Sequence, residues 1–261
     1  MIDIDDVVSQ TFLRQGHWYQ ELDSTNNRAL EIAGDCEIET PVLLGATHQT
    51  AGRGRGSNRW WSSNGTLKFS VLLDMKDLGI AQSDWPRFSL GTALSVAETL
   101  ESYVPARRVG VKWPNDVWIG QRKVCGILIE QSDRVSDRLI VGIGLNINTD
   151  FAEAPEEIRS VATSLFAESG QQFDQQAVLI QFLRRWEQTM MAQRSGNWSL
   201  PALWSRLCVL NGRQVIVSST AEQLFGQCLG IANDGALLVD TGAIKRCYAG
   251  TVRLVATSDS A

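Results

Sequence analysis

A chain of 261 residues, 44% apolar, can bury one large core and still supply a smaller unit, and its formal net charge of −5 argues against nonspecific nucleic-acid binding. Its first residues, MIDIDDVVSQTF, lack the basic start and apolar run of a signal peptide, and no stretch approaches the roughly 20 apolar residues of a membrane span. Cytoplasm is the expected compartment, with neither DNA nor membrane as a partner. Five cysteines (Cys36, Cys125, Cys208, Cys228, Cys247) without a C-x-x-C pair favour neither a disulfide framework nor a zinc site. Only His17 and His48 are available for a histidine-dependent triad, which is thin support for one.

In chain order, 17–22 reads as a strand. A short helix follows, capped by Ser24 or Thr25, with Ala29, Leu30 and Ala33 on its apolar side. The run 41–47 is a buried strand that leads into a loop rich in glycine and arginine, and 66–73 is the alternating strand that leaves it. Pro86 opens a helix that reaches about residue 103. Strands are predicted at 109–112, 115–119, 123–131 and 138–146, the middle pair joined by the turn at 120–122. Residues 150–172 are polar and loop-rich, 173–193 have helical spacing, and 200–207 add a second helix. Beyond Asn211-Gly212 come five short β runs, at 213–218, 223–231, 236–240, 244–248 and 251–255. They predict a small barrel and a boundary that divides the chain into 1–210 and 211–261.

Three segments carry chemistry. The loop Gly52-Arg53-Gly54-Arg55-Gly56-Ser57-Asn58 lies between strands, so it is neither a dinucleotide fingerprint nor a phosphate loop of the Gly-Lys-Ser/Thr kind. Its glycines could turn N–H groups toward an anion while the arginines add forked bonds. A solvated basic loop or an RNA contact would have the same composition. In Lys112-Trp113-Pro114-Asn115-Asp116, Pro114 keeps the chain extended, so Val109, Val111 and Trp113 share the core face and Lys112 takes the other. Such a lysine binds phosphate, with Asn115 or Asp116 helping to place Mg²⁺, or it makes a surface ion pair. Strict alternation from Lys123 puts Gly126 on the opposite face, and Cys125 reads as a small buried hydrophobe. Gly142 and Gly144, with Asn146 extending their face, make either a flat floor for a ring or relief from crowding against a helix.

Taken together and in this order, these segments closely resemble the biotin–protein ligases. The likeness rests on Leu22-Asp23-Ser24-Thr25-Asn26, on Gln49 with Gly52-Arg53-Gly54-Arg55 and Trp60, and on Lys112-Trp113-Pro114-Asn115-Asp116. Lys123 with Gly126-Ile127-Leu128, Gly142-x-Gly144-x-Asn146 and Asp234-Gly235-Ala236-Leu237-Leu238 complete it. The resemblance implies an α+β catalytic domain like that of class II tRNA synthetases, followed by an SH3-like domain. It implies a ligase that uses MgATP to turn biotin into biotinyl-5′-AMP and then transfers biotin to a lysine of a biotin carboxyl carrier domain. A homodimer is compatible with it.

Carried over to this chain, the resemblance assigns Ser24, Thr25 and Gln49 to the ureido ring of biotin. Gly52, Arg53, Gly54 and Arg55 close over carboxylate and phosphate, and Lys123 sits at their junction. Lys112 neutralises ATP phosphates, with Asn115 and Asp116 orienting metal and substrate. Gly126 and Gly144 line the pocket, while Asn146 and Trp60 lie nearer the nucleotide. Two departures stand out. Too few residues precede the first strand for the helix-turn-helix of bifunctional members, so no repressor activity is expected, and the loop tip Gly56-Ser57-Asn58 is less basic than in some members. A lipoate–protein ligase and a non-catalytic biotin-binding module are the alternatives. The block 112–130 separates this chain from the first, and retention of both lysines separates it from the second.

Overall fold

The structure, a computed structural model, describes residues 2–255 apart from 36, 106, 107, 197 and 221, so Cys36 lies outside the described residues. A helix absent from the sequence reading, α1 (Ile4–Ser9), comes first, with the Asp3 side chain accepting from the Asp6 N–H as its cap. It is one and a half turns long with one fully buried residue, Val7, too little to show as periodicity. Strand β1 (Gln15–Leu22), helix α2 (Thr25–Ile32) and strand β2 (Val42–Gln49) then form a parallel β-α-β unit.

Five further strands complete the main sheet: β3 (Thr66–Asp74), β4 (Val109–Lys112), β5 (Asp116–Ile119), β6 (Arg122–Gln131) and β7 (Arg138–Asn146). Their spatial order is β1-β2-β3-β7-β6-β5-β4, antiparallel except for the first pair. Strand β3 lies near the middle and shows how the sheet divides its two faces. Leu67, Phe69, Val71 and Leu73 alternate into the large apolar core, where Phe69 meets Phe182 at 6.0 Å between ring centroids. Leu72 points the other way, into a small cluster with Ala29 and Ala33 of α2. Lys68 and Ser70 share that second face and are buried there as polar groups.

The large core is closed by α3 (Trp85–Leu100), α6 (Gln175–Arg194) and α7 (Leu200–Leu207), as the helical spacing predicts. Between strand and helix, residues 150–172 hold two short helices that the polar composition conceals, α4 (Glu156–Arg159) and α5 (Leu165–Ser169). The second has its own signals in retrospect: the Ser164 hydroxyl accepts the Ala167 N–H, and Gly170 ends it in the left-handed conformation.

The five C-terminal runs form one antiparallel sheet of β8 (Gln214–Ser218), β9 (Gln223–Ile231), β10 (Leu237–Asp240), β11 (Ile244–Cys247) and β12 (Thr251–Leu254), in the order β11-β10-β9-β8-β12. Its inner residues Val215, Val217, Leu237, Val239 and Val252 belong to the same apolar cluster as the main sheet. The Trp113 indole N–H donates to the Gly235 carbonyl at 3.1 Å, and the Val209 N–H donates to Val111 at 3.0 Å. The chain changes sheets where its composition changes, but the core runs across the junction. No helix among the described residues is long and apolar enough to cross a membrane.

Candidate active site

On the α2 face of the main sheet, three glycines remove the side chains that would otherwise fill it. A Cβ on Gly126 would come 2.9 Å from the Trp60 ring, and one on Gly144 would collide with the same ring. A Cβ on Gly142 would run into the Asn26 amide at the start of α2. Both readings of the glycine pattern therefore hold, at different residues. Gly144 and Gly126 do form a floor for a ring, and the ring on it is the protein's own Trp60; Gly142 relieves crowding against a helix.

Above this floor is a cavity of about 320 Å³. Its lining includes Ser24, Thr25, Gln49, Arg53, Gly54, Arg55, Trp60, Lys112, Asn115, Asp116, Lys123, Gly126 and Gly144. Segments 100 residues apart in sequence thus meet in one place. Two expected residues are not part of the lining. Gly52 sits behind the loop, where a Cβ would lie 2.7 Å from the Trp60 carbonyl. Asn146 is buried, with its amide N–H₂ on the Thr163 carbonyl at 3.1 Å and its Oδ1 unpartnered.

One wall is a polar network with Ser70 at its centre. The Ser70 hydroxyl lies 2.7 Å from Thr25 Oγ1 and 2.6 Å from Asn26 Oδ1. Asn26 donates to Glu130 at 2.8 Å, and the other oxygen of Glu130 accepts from Arg53 at 2.6 Å. The Thr25 N–H donates to Gln49 Oε1 at 2.8 Å, which fixes that amide at the cavity edge. Ser24 is the N-cap residue of α2, but its hydroxyl makes no capping bond. Ser70 and Glu130 were missed in the sequence reading, and Asn26 was named there in a motif but given no role. Asn26 and Ser70 lie in runs read as a capped helix start and an alternating strand, and only the burial of polar types could have flagged them.

The glycine–arginine loop is a small hairpin. The Trp60 N–H donates to Gly52 at 3.0 Å and the Gly54 N–H donates to Asn58 at 2.8 Å, with Gly56 at the tip in the left-handed region (φ +65°). Both guanidinium groups have protein partners. Arg53 bonds Glu130 and also Asn27 at 2.9 Å, and Arg55 donates to the Gly250 carbonyl at 2.8 Å. Gly250, Thr251 and Val252 at the start of β12 close that side of the cavity. The small sheet, which carries none of the residues expected to act in adenylation, thus supplies part of the wall.

The two lysines face each other's surroundings across β4, β5 and β6. Val109, Val111 and Trp113 are buried as alternation predicts, and Lys112 takes the other face, with its Nζ 4.3 Å from the centre of the Trp118 ring. Burial pushes the Lys112 ammonium below the usual lysine range, and Asp116 opposes that shift. For Lys123 the alternation rule fails. Val117 pairs with Cys125 but Trp118 pairs with Lys123, so Val124 is an extra residue in β6. This bulge rotates Lys123 onto the same face as Gly126, and both line the cavity. Lys123 Nζ lies 2.6 Å from Asp116 Oδ1 and 5.5 Å from the centre of the Trp60 ring. Cys125 is fully buried, and burial drives its thiol far above the usual range, which leaves it inert.

Asn115 donates its amide N–H₂ to the Ile127 carbonyl at 2.6 Å, which leaves its Oδ1 available beside one carboxylate, Asp116. No group of three or more histidine, cysteine or acidic side chains is placed to hold a metal ion among the described residues. Such a donor set does not make an all-protein metal cage. It fits a magnesium ion that is held chiefly by substrate phosphates and water.

Comparison with known proteins identifies the family. Residues 18–148 match the Biotin/lipoate A/B protein ligase family. The biotin–[acetyl-CoA-carboxylase] ligase of Mycobacterium tuberculosis is 31% identical over 226 residues, which are 84% of this chain and 80% of that protein. The bifunctional ligase/repressor BirA of Bacillus subtilis is 31% identical over 245 residues, covering 91% of this chain and 73% of its own length. The structure of biotin protein ligase from Aquifex aeolicus in complex with biotin and ATP superimposes with a TM-score of 0.78 at 31% identity, over 93% of this chain and 100% of that one. The family match, the shared fold and similarity along most of the chain lead to one conclusion: this protein belongs to the biotin/lipoate A/B protein ligase family.

Proposed function

We propose that this protein is an ATP-dependent ligase that activates biotin as biotinyl-5′-AMP and transfers it to a lysine of a biotin carboxyl carrier domain. The observation that carries this reading is the single cavity in which Lys112, Lys123, Arg53 and Arg55 meet the Ser24–Thr25–Gln49 polar set. The similar Aquifex ligase was crystallised with biotin and ATP.

In the first step a biotin carboxylate oxygen attacks the α-phosphorus of ATP, the bond to the β-phosphate oxygen breaks, and pyrophosphate leaves. Two anions must be brought together, so the barrier is one of positioning and charge. Ser24, Thr25 and Gln49 hold the ureido ring, and Lys123 with Arg53 and Arg55 gathers carboxylate and α-phosphate. Lys112 balances charge on the departing pyrophosphate, and Gly126 and Gly144 leave room for the ligand. Magnesium, when bound with the phosphates, supplies charge neutralisation, with Asn115 and Asp116 as its protein oxygens. In the second step the carrier lysine amine attacks the acyl carbon of the anhydride, the bond to phosphate breaks, and AMP leaves.

We divide the chain into a catalytic unit, 1–210, and a C-terminal unit, 211–261, and place the protein in the cytoplasm. Biotin is preferred over lipoate because the Mycobacterium tuberculosis relative and the Aquifex aeolicus structure, each 31% identical, are named as biotin ligases. Biotin-dependent exchange of pyrophosphate into ATP tests the first step: exchange with biotin and none without it supports the reading, and exchange with lipoate alone refutes it.

A further inference from the structure

Strand β3 carries a lysine where its neighbours on either side, Leu67 and Phe69, are core residues. Lys68 is only 2% exposed, and its register partner across the sheet is Gly144, the glycine on which Trp60 lies. Its ammonium donates to the Thr47 carbonyl at 2.7 Å and to the Ser63 carbonyl at 3.3 Å. Among the described residues no carboxylate pairs with it. Burying a cation without a counter-charge is costly, and a methionine would fill the same space without that cost. Burial holds the ammonium down to about 8.

The two carbonyls explain why a lysine is kept. Thr47 lies near the end of β2, and Ser63 lies just before β3, so they are the two stems of the segment that contains the glycine–arginine hairpin, Gln49 and Trp60. Each stem has a second anchor. The Trp18 indole N–H donates to the Thr47 hydroxyl at 3.1 Å, and Trp61 stacks on Phe151 with centroids 5.6 Å apart. Lys68 joins one stem to the other through a single atom, its Nζ. An ammonium on a four-carbon arm has the reach and the several donors this requires.

We propose that Lys68 is a positioning residue that fastens both stems of the glycine–arginine hairpin and so sets where Gln49, Arg53, Arg55 and Trp60 stand at the cavity. Its bearing on catalysis rests on the function proposed above; its bearing on the hairpin does not. The loop supplies its own probe, because Arg53, Arg55 and Arg59 are trypsin sites.

The test compares Lys68→Met with Leu67→Ala, a core substitution on the opposite face of the same strand, at temperatures where the two have equal unfolded fractions. Cleavage is timed by mass spectrometry at residues 53–59 and at sites elsewhere in the chain. Lys68→Met should speed cleavage in the hairpin about tenfold relative to the rest, as the loss of one charge-assisted bond implies. Leu67→Ala should show no such bias. Should Lys68→Met not fold, Lys68→Gln takes its place in the same comparison. An equal cleavage pattern in the two variants would overturn the proposal.

A second readout follows release of free biotinyl-AMP at matched rates of its synthesis, which should rise several-fold in the lysine variant and not in Leu67→Ala. If the wild-type protein showed no biotin-dependent pyrophosphate exchange, the proposed function would fail while the trypsin comparison still decided the role of Lys68.

Discussion

Lys123 shows both the reach and the limit of reading this site from residue types. A lysine ahead of Cys-Gly-Ile-Leu is legible as a charged group near the pocket, but the face it occupies is not. One extra residue in β6 reverses the alternation after Val124, and a bulge has no consistent residue signature when it involves valine. The pairing of Asn26 with Glu130 was hidden for a related reason, since partners that meet through long-range folding leave no local spacing. Removing the Lys123 ammonium leaves Asp116 unpaired and the carboxylate–phosphate junction without its nearest cation. We expect Lys123→Ala to slow biotin-dependent adenylation by roughly ten- to a hundredfold, equivalent to about 1.5–3 kcal/mol, with the fold intact. Near-normal pyrophosphate exchange in a folded variant would remove Lys123 from the junction.

Among the elements, the glycine–arginine loop departs most from expectation. Its composition suggested arginines either solvated or free to add forked bonds to an anion. In the structure each has a partner, Glu130 for Arg53 and the Gly250 carbonyl for Arg55. These contacts tie the hairpin to β6 and to the small sheet, and its arginines can exchange protein oxygens for substrate oxygens. Arg55→Gly removes the contact to the small sheet and loosens the backbone. We expect it to release biotinyl-AMP faster, so that an unrelated lysine-rich protein present in the mixture becomes biotinylated. Equal bystander labelling by variant and wild type, at matched rates of adenylate synthesis, would show that Arg55 does not retain the intermediate. The short helices α1, α4 and α5 were illegible because one or two turns give too few apolar positions for a period to emerge. Strands and long helices, with repeated core positions, were read nearly to their ends.

Across the molecule the two sheets were legible as units and their union was not. The composition shift near residue 210 marks where the chain leaves the main sheet. Only the folded arrangement shows that β8, β10 and β12 bury Val215, Val217, Leu237, Val239 and Val252 in the common core. A fragment ending at 210 would expose that face, lose the Trp113–Gly235 bond, and lose the cavity wall formed by 250–252. It should melt well below the full-length protein and bind biotinyl-AMP more weakly. A fragment with an unchanged melting temperature would mean that the shared core contributes little. The acidic charge balance, by contrast, argued against nonspecific nucleic-acid binding without any structure, because that judgement depends only on counting charges.

Transfer to a carrier domain tests the central claim most directly. The full-length protein is mixed with MgATP and a purified biotin carboxyl carrier domain, with either biotin or lipoate, and the carrier is examined by intact mass and by streptavidin. The account predicts one biotin added to one carrier lysine, dependent on ATP and lost in Lys123→Ala. A carrier that stays unmodified with biotin, or that gains lipoate instead, would contradict it.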